Sequence, residues 1–329
     1  MDARNASASA PPPIKGFTFI RCLGRGGMAS VWEARQHDPE RTVAVKVLNE
    51  DITSRPKEVD AFYSEAKTAG SLVHPNIVSV FEVGYQSGCY YYVMELAAGY
   101  DTGKWLARKG RLAEADVLTV AESVGVALEF ASKTLGVIHC DIKPANIMVD
   151  GDGMVRITDM GLARFRRTAD NEYITGTPAY MSPEQASGAT ALDERSDIYS
   201  LGATIYHLLT GKELFSGTDD EVMECQRTKP APDIRAANPD VSEACARLVA
   251  RFLAKSPADR PQTWAEALAM IRAALANPDG RSVSGQKGQG RVAPALSAAS
   301  STAPASFWLY TALAAALAFA IAFAIARFW

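Results

Sequence analysis

Between Phe17 and Glu95 the apolar positions fall in short β-branched and aromatic runs: FTFIRCL, SVWEAR, VAVKVL, IVSVFEVGY and YYYVMEL. Turn residues separate them, which is the pattern of an antiparallel sheet. One helical stretch, about Lys57 to Leu72, interrupts the series. After residue 100 the period changes. Val117, Val120, Ala121, Val124, Leu128, Ala131 and Leu135 share one face of a buried helix. Trp264, Leu268, Ile271 and Leu275 do the same further on, and Thr263 with Glu266 predicts a capping box at the start of that helix. The expected class is α+β: a small antiparallel β lobe carrying one helix, then a larger α lobe, with a cleft between them. No internal repeat is visible.

The ends of the chain read differently. Residues 1–16 open on Ala, Ser and Pro without the apolar core of a signal peptide, and are expected to be a disordered arm. Residues 276–305 are Gly, Ser, Pro, Ala and Gln, too poor in large side chains to form a core, and predict a flexible linker. Residues 306–327 predict a transmembrane helix. Its centre, Phe307 to Ala326, is 20 residues without a charge, enough to span roughly 30 Å of hydrocarbon. Trp308 and Tyr310 flank one end, Phe328 and Trp329 the other, as interfacial aromatics do. A buried core helix is the alternative; a polar linker ahead of it and nothing after it to pack against disfavour that. Arg281, Lys287 and Arg291 precede the span against Asp279, and only Arg327 follows. The positive-inside rule then puts the N-terminal domain in the cytoplasm, on a single-pass anchor in the inner (plasma) membrane. Tethering raises local concentration and would favour a homodimer.

Composition narrows the function classes. The chain has 329 residues, 48% apolar and 22% charged, with a net charge of −3. That is an ordinary globular balance, and it argues against nucleic acid as a partner, since no basic excess is present. Cys22, Cys89, Cys140, Cys225 and Cys245 contain no CxxC pair. A disulfide scaffold or zinc ribbon does not fit, and a reducing compartment does.

Four strings carry chemistry. Leu23-Gly24-Arg25-Gly26-Gly27-Met28-Ala29-Ser30-Val31 lies between two strand-like runs. Glycines there let a hairpin approach polyphosphate oxygens with its N–H groups. Alone, such a hairpin is more often structural, and no Gly-Lys-Ser/Thr follows to make a Walker A loop. Val43-Ala44-Val45-Lys46 puts an ammonium in an apolar strand, which is costly unless paired. Glu65 is the candidate partner, although Lys46 by itself reads as an edge-strand lysine. His139-Cys140-Asp141-Ile142-Lys143-Pro144-Ala145-Asn146 packs a carboxylate, an ammonium and a carboxamide into eight residues. Such a loop can accept a proton, neutralise a phosphate and hold a metal. Asp159-Met160-Gly161 follows, and its acid with Asn146 offers the hard oxygen ligands that Mg²⁺ prefers.

In this order the strings resemble the eukaryotic-type (Hanks-type) Ser/Thr protein kinases, in particular the bacterial membrane-anchored branch, over residues 17–275. The resemblance implies a bilobal protein-kinase-like fold, with an N-lobe of 17–97 and a C-lobe of 98–275. It implies that Leu23, Gly24, Gly26, Gly27 and Val31 belong to a phosphate-covering loop, and that Lys46, oriented by Glu65, holds the α- and β-phosphates. Met94 would sit at the back of the adenine pocket, with the Glu95 carbonyl and the Ala97 amide on the adenine edge. Ala44 and Met148 would sandwich the ring. Asp141 would be the catalytic base, Lys143 would touch the γ-phosphate and mark the Ser/Thr branch, and Asn146 and Asp159 would hold Mg²⁺, with Mn²⁺ serving as well. Gly176 to Glu184, GTPAYMSPE, resembles the end of an activation segment, with Thr177 near Asp141 and Lys143. Glu184 would pair with Arg260, and Asp197 would brace the catalytic loop.

The implied activity is transfer of the ATP γ-phosphoryl to Ser/Thr hydroxyls of proteins. A membrane-anchored pseudokinase that binds partners without catalysis is the alternative; the presence of Lys46, Asp141, Asn146 and Asp159 argues against it. A small-molecule kinase is disfavoured by Lys143 together with GTPAYMSPE. The chain also departs from the family pattern. Ala29 stands for a third glycine, Met160 for Phe, Ser182 for Ala, and Cys140 for the Arg that reads a phosphorylated activation segment. Cys140 reads as a small neutral filler, with a redox-sensing thiolate as the sharper alternative. Activity is therefore expected to depend little on phosphate at Thr168 or Thr175. A Thr168→Ala, Thr175→Ala double variant should keep most of its rate in a kinase assay, and a loss of several hundred-fold would overturn the expectation.

Overall fold

The computed structural model describes residues 12–160, 164–165 and 176–276. The chain divides into two compact units, Met1–Arg281 and Ser282–Trp329. The second unit, the linker from 277 onward, the apolar segment 306–327, Gly161, Thr168 and Thr175 lie outside the described residues. Among the described residues no helix is long and apolar enough to cross a membrane.

The first lobe is a five-stranded antiparallel sheet, ordered β1-β2-β3-β5-β4. Its strands are β1 (Phe17–Arg25), β2 (Ala29–His37), β3 (Glu40–Leu48), β4 (Val80–Gln86) and β5 (Cys89–Glu95). Helix α1 (Pro56–Gly70) crosses one face. Alternation along β3 sorts the side chains. Ala44 and Leu48 pack with Phe62, Tyr92 and Met94 on the α1 side. Val43, Val45 and Val47 pack with Trp32, Tyr91 and Val93 on the other. Gly84 on β4 faces the Tyr91 ring so closely that a Cβ would sit 2.4 Å from it.

The second lobe begins with β6 (Tyr100–Asp101), α2 (Thr102–Lys109) and the long α3 (Glu114–Leu135). Then come β7 (Val137–Ile138), β8 (Ile147–Val149), β9 (Val155–Ile157) and β10 (Arg164–Phe165). Six helices follow: α4 (Pro183–Ala186), α5 (Glu194–Thr210), α6 (Asp219–Thr228), α7 (Ile234–Ala237), α8 (Glu243–Phe252) and α9 (Trp264–Ala276). α5 is buried along most of its length and runs through the middle of the largest core, which α3, α8 and α9 complete. Backbone hydrogen bonds tie the lobes together beneath α1. The Val78 N–H donates to Ile157 O at 3.0 Å and the Ile157 N–H to Asn76 O at 2.8 Å.

The structure corrects several sequence expectations. α1 begins at Pro56, whose fixed φ suits the first helical position, and ends at Gly70. The fourth run becomes a strand only at Val80; Ile77 instead makes a parallel bridge to Ile157. Residues 12–16 are not a free arm. Ile14 is buried among Trp32, Ala34 and Val43, Lys15 N–H donates to the Gln86 side chain, and His37 N–H donates to Gly16 O at 2.9 Å. The capping box before α9 is half made: Thr263 Oγ1 accepts the Glu266 N–H at 3.2 Å, but the Glu266 carboxylate takes the Gln262 N–H at 2.8 Å.

The deepest charge of the second lobe is Arg260, which is fully buried. Its guanidinium donates to both Glu184 oxygens at 2.7 and 2.8 Å and to the carbonyls of Ala254, Arg195 and Lys255. Removing one partner of a buried pair leaves the other charge uncompensated. Arg260→Ala should therefore lower unfolding free energy by about 3–5 kcal/mol in a urea titration, and a loss under about 1 kcal/mol would contradict this account.

Candidate active site

The site forms where β3, α1, the β7–β8 loop and the end of β9 meet. Register places Lys46 opposite Tyr92 on the neighbouring strand. Lys46 Nζ donates to Glu65 Oε1 at 2.7 Å and to Asp159 Oδ1 at 2.8 Å. Tyr92 OH donates to the same Glu65 oxygen at 2.8 Å. The Lys46 and Glu65 side chains are only 15% and 10% exposed, whereas Asp159 keeps 40%. Burial alone would pull the Lys46 pKa down, but Tyr92, Asp159 and Glu65 act the other way and hold it well above its ordinary value. Burial likewise raises Asp159, and Lys46, His139 and Lys143 together more than reverse that, so its pKa lies below the usual carboxylate value.

Two backbone turns, one in the β7–β8 loop and one just after β9, are held in an unusual shape. Cys140 has φ 66° and Asp159 φ 55°, the left-handed region that non-glycine residues seldom enter. Asp197 on α5 stabilises the first of these turns. Its Oδ2 accepts the His139 N–H at 2.7 Å and its Oδ1 the Cys140 N–H at 2.9 Å, while Gln185 Nε2 donates to Cys140 O at 2.8 Å. The Cys140 side chain itself is buried beside Ile138 and Leu192.

The loop delivers Asp141. Its Oδ1 accepts the Thr177 hydroxyl at 2.7 Å, and its Oδ2 lies 2.7 Å from Lys143 Nζ and 3.1 Å from Asn146 Nδ2. Lys143 Nζ also donates to Thr177 Oγ1 at 2.7 Å. The Thr158 N–H donates to Asn146 O at 2.9 Å, which fixes the loop against the residue before Asp159. A carboxylate with a hydroxyl at hydrogen-bond distance and an ammonium beside it can take a proton from an alcohol and neutralise an anion.

Above this polar floor, Leu23, Val31, Ala44, Met94 and Ala97 belong to one apolar cluster. Met148 lies on β8 in the other lobe, half-buried. The Glu95 N–H is taken by Ser79 O at 2.9 Å and its carboxylate by Arg156 at 3.2 Å. The Ala97 amide has no protein acceptor among the described residues. Gly24, Gly26 and Gly27 need no left-handed backbone, and a Cβ on Gly24 or Gly27 would meet nothing within 4 Å. The protein itself therefore does not demand glycine there, and the open space suits a polyphosphate. An apolar slot, a free edge amide and an open glycine hairpin fit a purine nucleotide. Among the described residues no group of three or more His, Cys, Asp or Glu would hold a metal. Asn146 and Asp159 supply a partial oxygen set, the kind Mg²⁺ completes with water and phosphate.

Residues 17–271 match the protein kinase domain family. The chain belongs to that family. Protein kinase relatives include the serine/threonine-protein kinase pkn3 of Myxococcus xanthus, 38% identical over 73% of this chain and 46% of its own length. PrkC of Bacillus subtilis is 32% identical over 79% of this chain and 40% of its own. PknA of Mycobacterium tuberculosis is 35% identical over 87% and 68%. The chain thus spans less than half the length of the first two. A crystal structure of a point mutant of the Mycobacterium tuberculosis PknI kinase domain superposes with a TM-score of 0.63 at 26% identity, covering 80% of this chain and 96% of that one. The bilobal protein kinase fold is shared, and membership implies use of ATP with a divalent metal.

Sequence reading placed Lys46, Glu65, Asp141, Lys143, Asn146, Asp159 and Thr177 together, and the structure brings them within one cleft. It missed Tyr92 and Gln185. Tyr92 was legible only by pairing the third and fifth runs in register, and nothing local marks Gln185 as a ligand of a distant carbonyl.

Burial pushes Asp197 up to about 6, against the pull of His139 and the two backbone N–H groups. The folded state therefore binds this proton more tightly than the unfolded chain. Its stabilising effect is complete below the unfolded pKa near 4 and is lost as pH rises through 6. The stability of wild type minus that of Asp197→Asn should fall by roughly 3 kcal/mol between about pH 4 and pH 7. Urea titrations across that range check it, and a constant difference would refute it.

Proposed function

We propose that this chain is a protein serine/threonine kinase that transfers the ATP γ-phosphoryl to Ser or Thr hydroxyls of protein substrates. The observation that carries the reading is the convergence of Lys46, Asp141, Asn146 and Asp159 on one cleft, with Lys46 already locked to Glu65. Asp141 acts as the base: its Oδ1 accepts the Thr177 hydroxyl, Oγ1 to Oδ1 2.7 Å, and an acceptor hydroxyl would present the same donor. Lys143, on both Asp141 and Thr177, supplies positive charge beside the transferring group. Lys46 holds phosphate oxygens, and Glu65 with Tyr92 keeps it aimed. Leu23, Val31, Ala44, Met94, Ala97 and Met148 enclose the base, with the Glu95 carbonyl and Ala97 amide on its edge. Asn146 and Asp159 would hold Mg²⁺, or Mn²⁺ in its place, which supplies charge neutralisation when bound. The remaining work is positioning.

The domain is carried on the linker 276–305 by a transmembrane helix at 306–327, in the inner membrane, with the kinase on the cytoplasmic side. The uncharged 20-residue core and the upstream Arg281, Lys287 and Arg291 support this reading. Tethering in a plane would favour a homodimer.

Labelled ATP with a generic protein substrate tests the activity. Asp141→Asn should lower the rate at least about a hundred-fold. Equal labelling by wild type and variant, or none by wild type, would defeat the proposal and leave the scaffold reading.

A further inference from the structure

Asn49 follows β3 directly, three residues past Lys46. Its backbone N–H donates to Met28 O at 2.8 Å. Its Nδ2 donates to Gly26 O and to Gly27 O, both at 3.1 Å. A primary carboxamide carries two N–H groups on one nitrogen, so one neutral side chain fixes two successive carbonyls. A trans peptide unit is planar, and its C=O and the following N–H point in opposite directions. With the carbonyls of Gly26 and Gly27 aimed at one atom, the N–H groups of Gly27 and Met28 are both aimed away from it. Neither has a protein acceptor among the described residues.

The direction they face follows from strand alternation. Leu48 points to the α1 side, and Lys46, two residues earlier, reaches Glu65 on that helix. Val45 and Val47 point to the opposite face, and Asn49 continues their row. Amides aimed away from Asn49 therefore face the side on which Lys46 Nζ lies. Two adjacent N–H groups of like direction make a concavity that binds anions.

We infer that Asn49 is a positioning residue for the nucleotide's polyphosphate: it turns two peptide planes of the glycine-rich hairpin so that the Gly27 and Met28 amides meet the phosphates. The inference rests on the kinase reading above. It separates phosphate binding from base binding, because the Asn49 carboxamide donates only to hairpin carbonyls.

The test uses the full chain with Asn49→Leu and Asn49→Ala, both neutral and both without donors. Calorimetry compares adenosine with a non-hydrolysable ATP analogue in the presence of Mg²⁺. The Kd for the analogue should rise about ten-fold in each variant, while adenosine binding stays within about two-fold of wild type and so certifies the fold. An unchanged analogue Kd, or equal weakening of both ligands, overturns the inference and leaves the kinase reading intact. A wild-type chain that binds neither ligand overturns both.

Discussion

A lysine ammonium set in an apolar strand must find anions, and Lys46 finds two from separate parts of the chain. Glu65 comes from α1 and Asp159 from the end of β9. At effective dielectrics near 20 each contact of this length is worth several kcal/mol before desolvation is subtracted. Because one ammonium holds a carboxylate from each side, the pairing sets the rotation of α1 and the height of Asp159 against the sheet. Tyr92 adds a hydrogen bond to the same Glu65 oxygen and closes the apolar side. The apolar slot, the glycine hairpin above it and the Asn146 and Asp159 oxygens below take their relative places from that one buried cation.

A second constraint runs through the larger lobe. Cys140 and Asp159 occupy a backbone region that costs non-glycine residues of order 1 kcal/mol or more. Each is held there by side chains from elsewhere: Asp197 and Gln185 clamp the peptide units around Cys140, and Lys46 holds the Asp159 carboxylate. This explains why so many polar groups are buried in an otherwise aliphatic core. His139, Asn146, Gln185, Asp197 and Arg260 are nearly inaccessible, and each has hydrogen-bond partners within the fold. They hold backbone and neighbouring side chains in place, and the exposed chemistry at the cleft depends on them.

Much of this was legible along the chain. The spacing of short β-branched runs points to the sheet, and the three-and-four stripe of α3 points to its buried face. Lys46 with Glu65, Thr177 with Asp141, and Glu184 with Arg260 are pairs that ordered motifs and family resemblance already suggest. What escaped needed register or tertiary approach. Ile14 looked like part of a polar arm, and only the outer face of β2 and β3 gives it a home. Glu266 had the residue type of a capping box, yet Gln262 offered a nearer N–H. Asn49 is one polar residue among many until the hairpin folds over it. Local patterns carry element type, and they do not say which carbonyl a distant carboxamide will meet.

The hydrogen bonds between residues 76–78 and Ile157 carry a mechanical consequence. Ala69, Leu72 and Ile77 belong to the core of the larger lobe, while Phe62 and Ala66, a turn or two earlier on α1, belong to the smaller one. Val80 packs against both. The rear of α1 is therefore a fulcrum. Any rocking of the sheet over the helical lobe must pivot there, so displacement grows with distance along the strands and is greatest at the β1–β2 tip. Lys46 and Glu65 sit partway along that lever and travel together, because one salt bridge joins them. Thermal rocking would thus widen and narrow the mouth beneath the glycine hairpin while leaving Lys46 and Glu65 paired.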